Sequence, residues 1–309
     1  MTTVLITGGT GMIGRALTNE LTGKGYRVIV LTRTAKPPAN GIQYKEWNVD
    51  SGLIDETAIK EAGYIVHLAG ANVADGRWSA KRKKEVVDSR VRSGELLVRS
   101  LKNIPNNVKA VISASAIGWY GPDPQLPNPK PFTETDPPDN AFLGNTSQQW
   151  EGAIWPVADI EKRLVIYRIG IVLSNEGGAY AEFKKPLKFG VASILGNGKQ
   201  VVSWIHINDL VQLFIEAIEK ESLQGVYNAA APQPVSNKEL ILAMAKERGK
   251  FYLPVPVPSF ALKIALGEMS VEVLKSATVS SKKIESAGFQ FRYPRIEDAV
   301  RHLEGGNKK

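Results

Sequence analysis

The residues with the clearest chemical content stand at the start of the chain. Val4-Leu5-Ile6-Thr7 is an apolar run of strand type. Gly8, Gly11 and Gly14 follow at GxxGxxG spacing, and a helical pattern at Ala16, Leu17 and Leu21 comes next. Strand, tight turn and helix in this order form an anion cradle. Gly8 takes a turn conformation that a side chain would forbid. Gly11 lets the backbone approach a pyrophosphate without a Cβ in the way. Gly14 lets the helix pack close to the strand, and the free N–H groups of the helix N-terminus face the phosphates. Thr10, Met12 and Ile13, in the turn and the first helical residues, complete the expected contact set. The context of strand before and helix after separates this motif from an ordinary glycine-rich turn.

Two further stretches belong to the same chemistry. The second strand ends Leu31-Thr32-Arg33. A fold specific for NAD places Asp or Glu there to accept hydrogen bonds from the adenosine ribose. Thr32 occupies the acidic position, and Arg33 offers a fork that suits a 2′-phosphate and a face that stacks on adenine. NADP(H) is therefore the expected cofactor. Leu68-Ala69-Gly70 is a small-residue turn after another strand, and it is expected to line the ribose side of the cofactor.

Composition narrows the class. The chain has 309 residues, 43% hydrophobic and 23% charged, which suits one large α/β domain with a smaller appendage. It has no cysteine, which excludes disulfides, thiolate zinc sites and a cysteine nucleophile. His67, His206 and His302 are too scattered to predict a metal site. The N-terminal residues show no signal-peptide pattern and no apolar run is long enough to span a bilayer, so a cytoplasmic location and no membrane partner are expected. The net charge of +8 raises nucleic acid as a partner. However, the sharpest cluster, Lys81 to Lys84 with Arg90 and Arg92, lies on an amphipathic pattern and reads as a solvated helix face, so no nucleic acid is expected.

Strands and helices alternate through the first half. Strands are predicted at 3–7, 27–31, 43–47, 65–68, 110–115 and 164–169, with helices at 13–24, 81–102 and 148–159, the last weakened by Pro156. This order predicts an α/β, doubly wound parallel sheet of Rossmann type. Beyond residue 170, glycines at 177, 178, 190, 196 and 198 punctuate a loop-rich stretch. A helix at 209–219, a strand at 226–228 and a helix opened by the Ser236/Glu239 capping box follow. Pro254, Pro256 and Pro258 mark a connection before a last helical region. The expected division is a cofactor domain over 1–170, to which 205–230 returns, and a smaller C-terminal substrate domain from 171–204 and 231–309.

The motifs TGGTGMIG, HLAG, SASAIGWYG, VSWIHINDL and GVYNAAAP, in that order, resemble an extended short-chain dehydrogenase/reductase. Gly76-Arg77-Trp78, Ser89-Arg90-Val91, Gln149-Trp150-Glu151, Gly267-Glu268-Met269 and Ala287 to Phe291 resemble one branch of it. That is an NAD-dependent epimerase-like, nucleotide-sugar-epimerase-like family with a C-terminal segment of unknown function. Its members are sometimes called cell-division-inhibitor-like, and their substrate is not established. The resemblance covers essentially the whole chain. It implies that Glu85 and Arg90 face the cofactor cleft and that the backbone near Leu173 meets the nicotinamide end.

The resemblance also implies a catalytic Ser with a Tyr-x-x-x-Lys pair, and here the chain departs from it. Ser115 stands where the serine is expected, but Ser147 replaces the tyrosine and Glu151 the lysine. A serine hydroxyl is far too weak an acid for that role, and a carboxylate would raise a neighbouring acid's pKa. Tyr120 is the nearest surviving phenol, so Ser115 and Tyr120 are the expected catalytic groups. His206 reads as structural, Asp209 as a helix start, and Arg168 either binds an anionic substrate or pairs with a buried carboxylate. The expected activity is NADP(H)-dependent hydride transfer on an unknown small carbonyl or sugar-nucleotide substrate, by a monomer or homodimer. The alternative is a catalytically silent NADPH-binding regulatory or interaction protein.

Overall fold

A computed structural model describes residues 1–34 and 36–305. Its centre is an eight-stranded sheet. Seven strands are parallel: β1 (Thr3–Thr7), β2 (Arg27–Thr32), β3 (Ile42–Asn48), β5 (Tyr64–His67), β6 (Ala110–Ala116), β7 (Arg163–Ile169) and β12 (Gly225–Ala229). The two-residue β4 (Leu53–Ile54) closes one edge antiparallel to β3. The order is β12-β7-β6-β5-β1-β2-β3-β4. The chain runs outward from β1 to β3, then returns to the other side of β1 as β5. That reversal opens a crevice beyond the carboxyl ends of β1 and β5, where ligands of doubly wound sheets bind.

Alternation along the strands sends side chains to two layers. Val4 and Ile6 join a core with Leu17 and Leu21 of α1 (Met12–Gly23) and Leu210, Leu213 and Phe214 of α6 (Ile207–Glu219). Leu5 points the other way, into a core with Leu96, Leu97 and Leu101 of α3 (Ala80–Asn103) and Ile154 of α4 (Phe142–Ile154). The short α2 (Glu56–Glu61) adds Ala58 and Ile59 to this second layer. Both faces of the parallel strands are thus covered, as parallel pairing requires.

The stretch expected to be loop-rich is instead structured. It holds β8 (Ile171–Leu173), α5 (Gly178–Leu187), β9 (Val191–Leu195), β10 (Val201–Val202) and β11 (Trp204–His206). β8 pairs parallel with β11, β10 antiparallel with β13 (Val235–Ser236), and β9 parallel with β14 (Leu253–Val257). β14 is the segment read as a proline connection. Pro254 and Pro256 are tolerated because β14 has a single neighbour in its ladder, which leaves one edge without bonds to lose. A third core joins Leu173, Tyr180, Leu187 and Trp204 to Leu240 and Met244 of α7 (Asn237–Glu247) and Ile296, Val300 and Leu303 of α11 (Ile296–Leu303). Between them lie the short helices α8 (Ser259–Leu266), α9 (Ser270–Leu274) and α10 (Lys282–Ser286).

Three details revise the reading of elements. α4 begins at Phe142 and ends at Ile154, and Pro156 opens a separate 3₁₀ turn over Trp155–Ile160, so the helix lies earlier than predicted. The cations of α3 are not all a solvated face. Lys83 pairs with Glu268 across the fold, Arg82 pairs with Glu85, and Arg90 is buried. The capping box at Ser236 and Glu239 is present as read.

α1 must pack tightly on the glycine turn. A Cβ on Gly14 would stand 2.3 Å from the Gly8 carbonyl oxygen, whereas one on Gly23 would meet nothing within 4 Å. Gly14→Ala is therefore expected to lose about 1–3 kcal/mol in urea unfolding. Gly23→Ala, on the same helix, is expected to be neutral or to gain up to about 1 kcal/mol.

Candidate functional site

The crevice at the ends of β1 and β5 is built by backbone and small residues. Gly8 has φ of +68°, and a Cβ there would stand 2.8 Å from the Leu68 carbonyl. The Gly11 amide donates to the Gly8 carbonyl at 3.0 Å, closing the turn. Gly9 adds a constraint that the spacing does not reveal: its Cβ would fall 2.7 Å from Val30 of β2. α1 starts after Gly11 with no side chain capping it and no acidic residue in its first turn. Its first amides, at Met12, Ile13 and Gly14, lie ahead of the first intrahelical bond, from Arg15 to Gly11, and point out of the helix end. A pyrophosphate fits this cradle: unpaired donors, a positive helix end and no Cβ on Gly11 to obstruct it. Met12 packs beside Gly177 and Gly178, and Arg15 pairs with Glu176 at 3.2 Å, so the 174–178 segment lies next to the glycine turn.

The opposite wall is the Leu68-Ala69-Gly70 turn. Thr7 and His67 are register partners at the ends of β1 and β5. The Thr7 hydroxyl oxygen accepts from the amides of Leu68, at 3.1 Å, and Ala69, at 3.2 Å. Its proton goes to His67 Nδ1 at 2.8 Å. His67 therefore carries its proton on Nε2, which meets Ser93 Oγ at 3.4 Å. Burial, then the charge of Arg90, lowers the His67 pKa from 6.5 to about 3, so the ring is neutral. Ser89 Oγ accepts from the Ala71 amide, and Arg90 donates to the Ala71 carbonyl at 3.0 Å while its guanidinium lies over the Trp150 ring. A Cβ on Gly70 would stand 3.1 Å from that guanidinium carbon. Thr7, His67, Ser89 and Ser93 escaped the sequence reading. Thr7 and His67 had one signal, polar residues closing apolar strands beside the glycine turns, whereas Ser89 and Ser93 lie on α3.

The remaining cofactor residues divide. Thr32 is buried, and its hydroxyl donates to the Thr34 carbonyl at 2.7 Å. Arg33 is exposed and makes no ion pair among the described residues. Glu85 is 56% exposed and held by Arg82 at 2.8 Å. Leu173 is fully buried, which leaves only its backbone for a ligand.

The second part of the site lies along the C-terminal ends of β6, β7 and β12. Sheet register sets Ser115, Arg168 and Asn228 side by side. α4 brings Glu151 onto this row. Arg168 grips the carboxylate with two bonds, Nε to Oε1 at 2.8 Å and Nη2 to Oε2 at 2.9 Å, and both side chains are buried. Ser115 donates to Glu151 Oε1 at 2.7 Å. Arg168 Nη1 donates to the Tyr120 hydroxyl at 3.1 Å, Tyr120 donates to Asn228 Oδ1 at 2.6 Å, and Asn228 Nδ2 donates to the Ser280 carbonyl at 3.1 Å. The Trp119 ring covers the guanidinium at 3.6 Å. Burial opposes the Arg168 charge, but Glu151 outweighs it and raises the pKa above the ordinary guanidinium value.

This geometry settles the open reading of Arg168: it pairs with a buried carboxylate. It also corrects Tyr120 as a phenol approaching the cleft. The side chain has no exposed surface, its proton is committed to Asn228, and burial pushes its pKa up to about 12 against the lowering by Arg168. Ser115 is 2% exposed and its proton is committed to Glu151, so its lone pairs are what it offers a ligand. His206 caps α6, its Nδ1 accepting from the Asn208 amide at 3.0 Å. Burial, then His302 and Arg292, lowers its pKa to about 3.

Comparison with known proteins bears on the family and the fold. Residues 4–143 match the NAD dependent epimerase/dehydratase family, and residues 257–303 match a domain of unknown function, DUF1731. An epimerase family protein of Staphylococcus aureus is 36% identical over 300 residues, 97% of this chain and 98% of the relative. One of Mycobacterium leprae is 34% identical over 298 residues, 96% of this chain and 94% of the relative. The crystal structure of human epimerase family protein SDR39U1 (isoform 2) with NADPH is similar at a TM-score of 0.87 and 29% identity, covering 98% of this chain and 99% of that one. UDP-N-acetylglucosamine 4-epimerase from Bacillus cereus, at 17% identity and a TM-score of 0.77 over 100% of both chains, shares the fold. The doubly wound sheet with its glycine cradle is that of the extended short-chain dehydrogenase/reductases. Within them, the chain belongs to the NAD dependent epimerase/dehydratase family.

Two outcomes follow from the buried charges. Glu151→Gln leaves a buried guanidinium without its counter-charge and is expected to cost about 3–5 kcal/mol in urea unfolding. Replacing both partners by Leu and Met is expected to recover most of that loss. His67 and His206 titrate near 6.5 when unfolded but near 3 when folded. Between these values the unfolded chain holds more protons, so their contribution is full above pH 6.5 and is lost as the pH falls towards 3. Each ring contributes a slope of about 1.4 kcal/mol per pH unit, and His67→Gln should remove one of the two slopes in denaturation curves taken from pH 7 downward.

Proposed function

We propose that the chain binds NADP(H) and carries out hydride transfer to or from a small carbonyl or nucleotide-linked substrate. One observation carries the cofactor choice. β2 ends in a buried Thr32 whose hydroxyl is used by the backbone, no acid stands there, and the exposed Arg33 follows. An arginine at this place accommodates a 2′-phosphate. The NADPH in the human SDR39U1 structure supports the same reading.

In this reading Gly8, Thr10, Gly11, Met12, Ile13 and Gly14 hold the pyrophosphate, and Leu68, Ala69 and Gly70 the ribose. Arg90 acts through the Ala71 carbonyl it holds, Glu85 stands with Arg82 at the rim, and Leu173 offers its backbone. The bound nicotinamide supplies the hydride acceptor or donor. Ser115, its orientation fixed by the Arg168–Glu151 pair, accepts from the hydroxyl form of the substrate, and the proton that accompanies hydride transfer is exchanged with solvent water, because the Ser115 and Tyr120 protons are held by Glu151 and Asn228. Tyr120 supports Arg168 from behind. Residues 171–204 and 231–309 form the substrate side.

A second reading, NADPH binding without catalysis, is favoured by one observation: the phenol is buried and a carboxylate stands at the usual lysine position. NADPH binding with no turnover across a panel of carbonyl compounds and sugar nucleotides would select it. Steady hydride transfer would remove it.

Titration of the cofactor-free protein with NADPH and NADH tests the cofactor assignment. Arg33→Ala is expected to weaken NADPH binding by about tenfold or more, the loss of charge-assisted hydrogen bonds to a phosphate. NADH binding should be nearly unchanged, and equal losses for both cofactors would overturn the assignment.

A further inference from the structure

Two Lys-Phe dipeptides, Lys188-Phe189 and Lys250-Phe251, lie far apart in sequence and outside the cofactor crevice. The fold brings them together. β9 and β14 pair in parallel from Val191↔Leu253 onward. The Leu253 amide donates to the Gly190 carbonyl at 2.8 Å, and the Phe251 carbonyl oxygen lies 3.2 Å from where a Gly190 Cβ would be. Phe189 ends the turn that leads into Gly190, and Phe251 lies against Gly190, so the two dipeptides meet at the same end, or tip, of the β9–β14 pair.

Both rings are 86% exposed, and Leu253, at strand spacing from Phe251, is 57% exposed. Side chains so exposed are covered only from their backbone side, so they project instead of lining a groove. Lys188 and Lys250, each next to one of the rings in sequence, are exposed and make no ion pair among the described residues. The nearby acids are already engaged: Glu182 holds Lys185 at 2.6 Å, and Glu247 stands 3.6 Å from Arg301. The tip is therefore apolar at its end and cationic around it.

We propose that this tip docks the protein on an anionic lipid surface. The two rings and Leu253 enter the headgroup boundary, and the lysines meet the acidic headgroups. Aromatic ends ringed by free cations suit an interface that is apolar inside and anionic outside. No helix among the described residues is long and apolar enough to cross a membrane, and docking of this kind requires none.

Co-sedimentation of the full chain with vesicles tests this. One set is phosphatidylcholine alone, and the other contains roughly one third phosphatidylserine. The expected result is binding to the second set only, falling steeply as salt rises to about 0.5 M. Phe189→Ser with Phe251→Ser should lower that binding about tenfold, with melting temperature and NADPH affinity unchanged. Lys188→Glu with Lys250→Glu should do the same, as an independent variant. Absence of binding to the anionic vesicles would overturn the proposal. So would binding indifferent to the phenylalanines, which is adsorption of a basic protein. Lipid-free dimers lost in the phenylalanine variant would assign the tip to a second copy and overturn it as well. NADPH affinity is read separately, so failure here is distinct from failure of the cofactor assignment.

Discussion

Arg168 and Glu151 form a buried ion pair on which the second half of the site depends. A guanidinium and a carboxylate taken out of water lose several kcal/mol of hydration each, and only good geometry with every remaining donor used recovers it. Here the grip is two-pronged. The third guanidinium nitrogen serves Tyr120 and the Glu134 carbonyl, and the face is covered by Trp119. Because the pair joins α4 to β7 and bonds Ser115 of β6 and Tyr120 and Glu134 of the loop after it, these elements hold one arrangement. The register of three parallel strands makes it possible, since Ser115, Arg168 and Asn228 are neighbours in the same row.

The same pair redefines what the site does with protons. A lysine at the Glu151 position would bring a positive charge beside an acid and lower its pKa. Glu151 brings a negative charge, and Arg168 cancels it. Ser115 then has its proton bound to a carboxylate and presents lone pairs. Tyr120, the surviving phenol, becomes a strut between Arg168 and Asn228, with its acidity suppressed by burial. The cofactor side shows no such rebuilding. Glycines at close approach, an uncapped helix end and a turn held by Thr7 keep the features that bind a dinucleotide. An unobstructed glycine cradle thus stands beside a row of polar side chains whose protons are committed to one another.

Much of the fold was legible because its signals are local. β1, the glycine turn and α1 follow from an apolar run and the positive φ that Gly8 takes, within a few residues of sequence. β7 is a nearly continuous apolar run, and α6 is strongly periodic. The stretch from 171 to 204 was not legible. Its strands are two to five residues long; β10 and β9 take their partners from β13 and β14, over thirty residues further on, and β8 pairs with β11. Glycines that permit turns between them dominate the local pattern, and β14 contains two prolines. Only the third core, assembled from α5, α7 and α11, makes these pieces stable.

The sequence by itself determined the cofactor cradle, the parallel sheet and the departure at Ser147 and Glu151. Residue type and short-range spacing carry all three. Tertiary structure decided the rest. It chose a carboxylate partner for Arg168, removed Tyr120 from solvent, made the buried His206 a helix cap and brought two distant Lys-Phe dipeptides to one end of the β9–β14 pair. Each of these depends on strand register or helix placement between residues far apart in the chain. Such pairings have no local signature, because the energy that selects them comes from burial and hydrogen-bond satisfaction across the whole core.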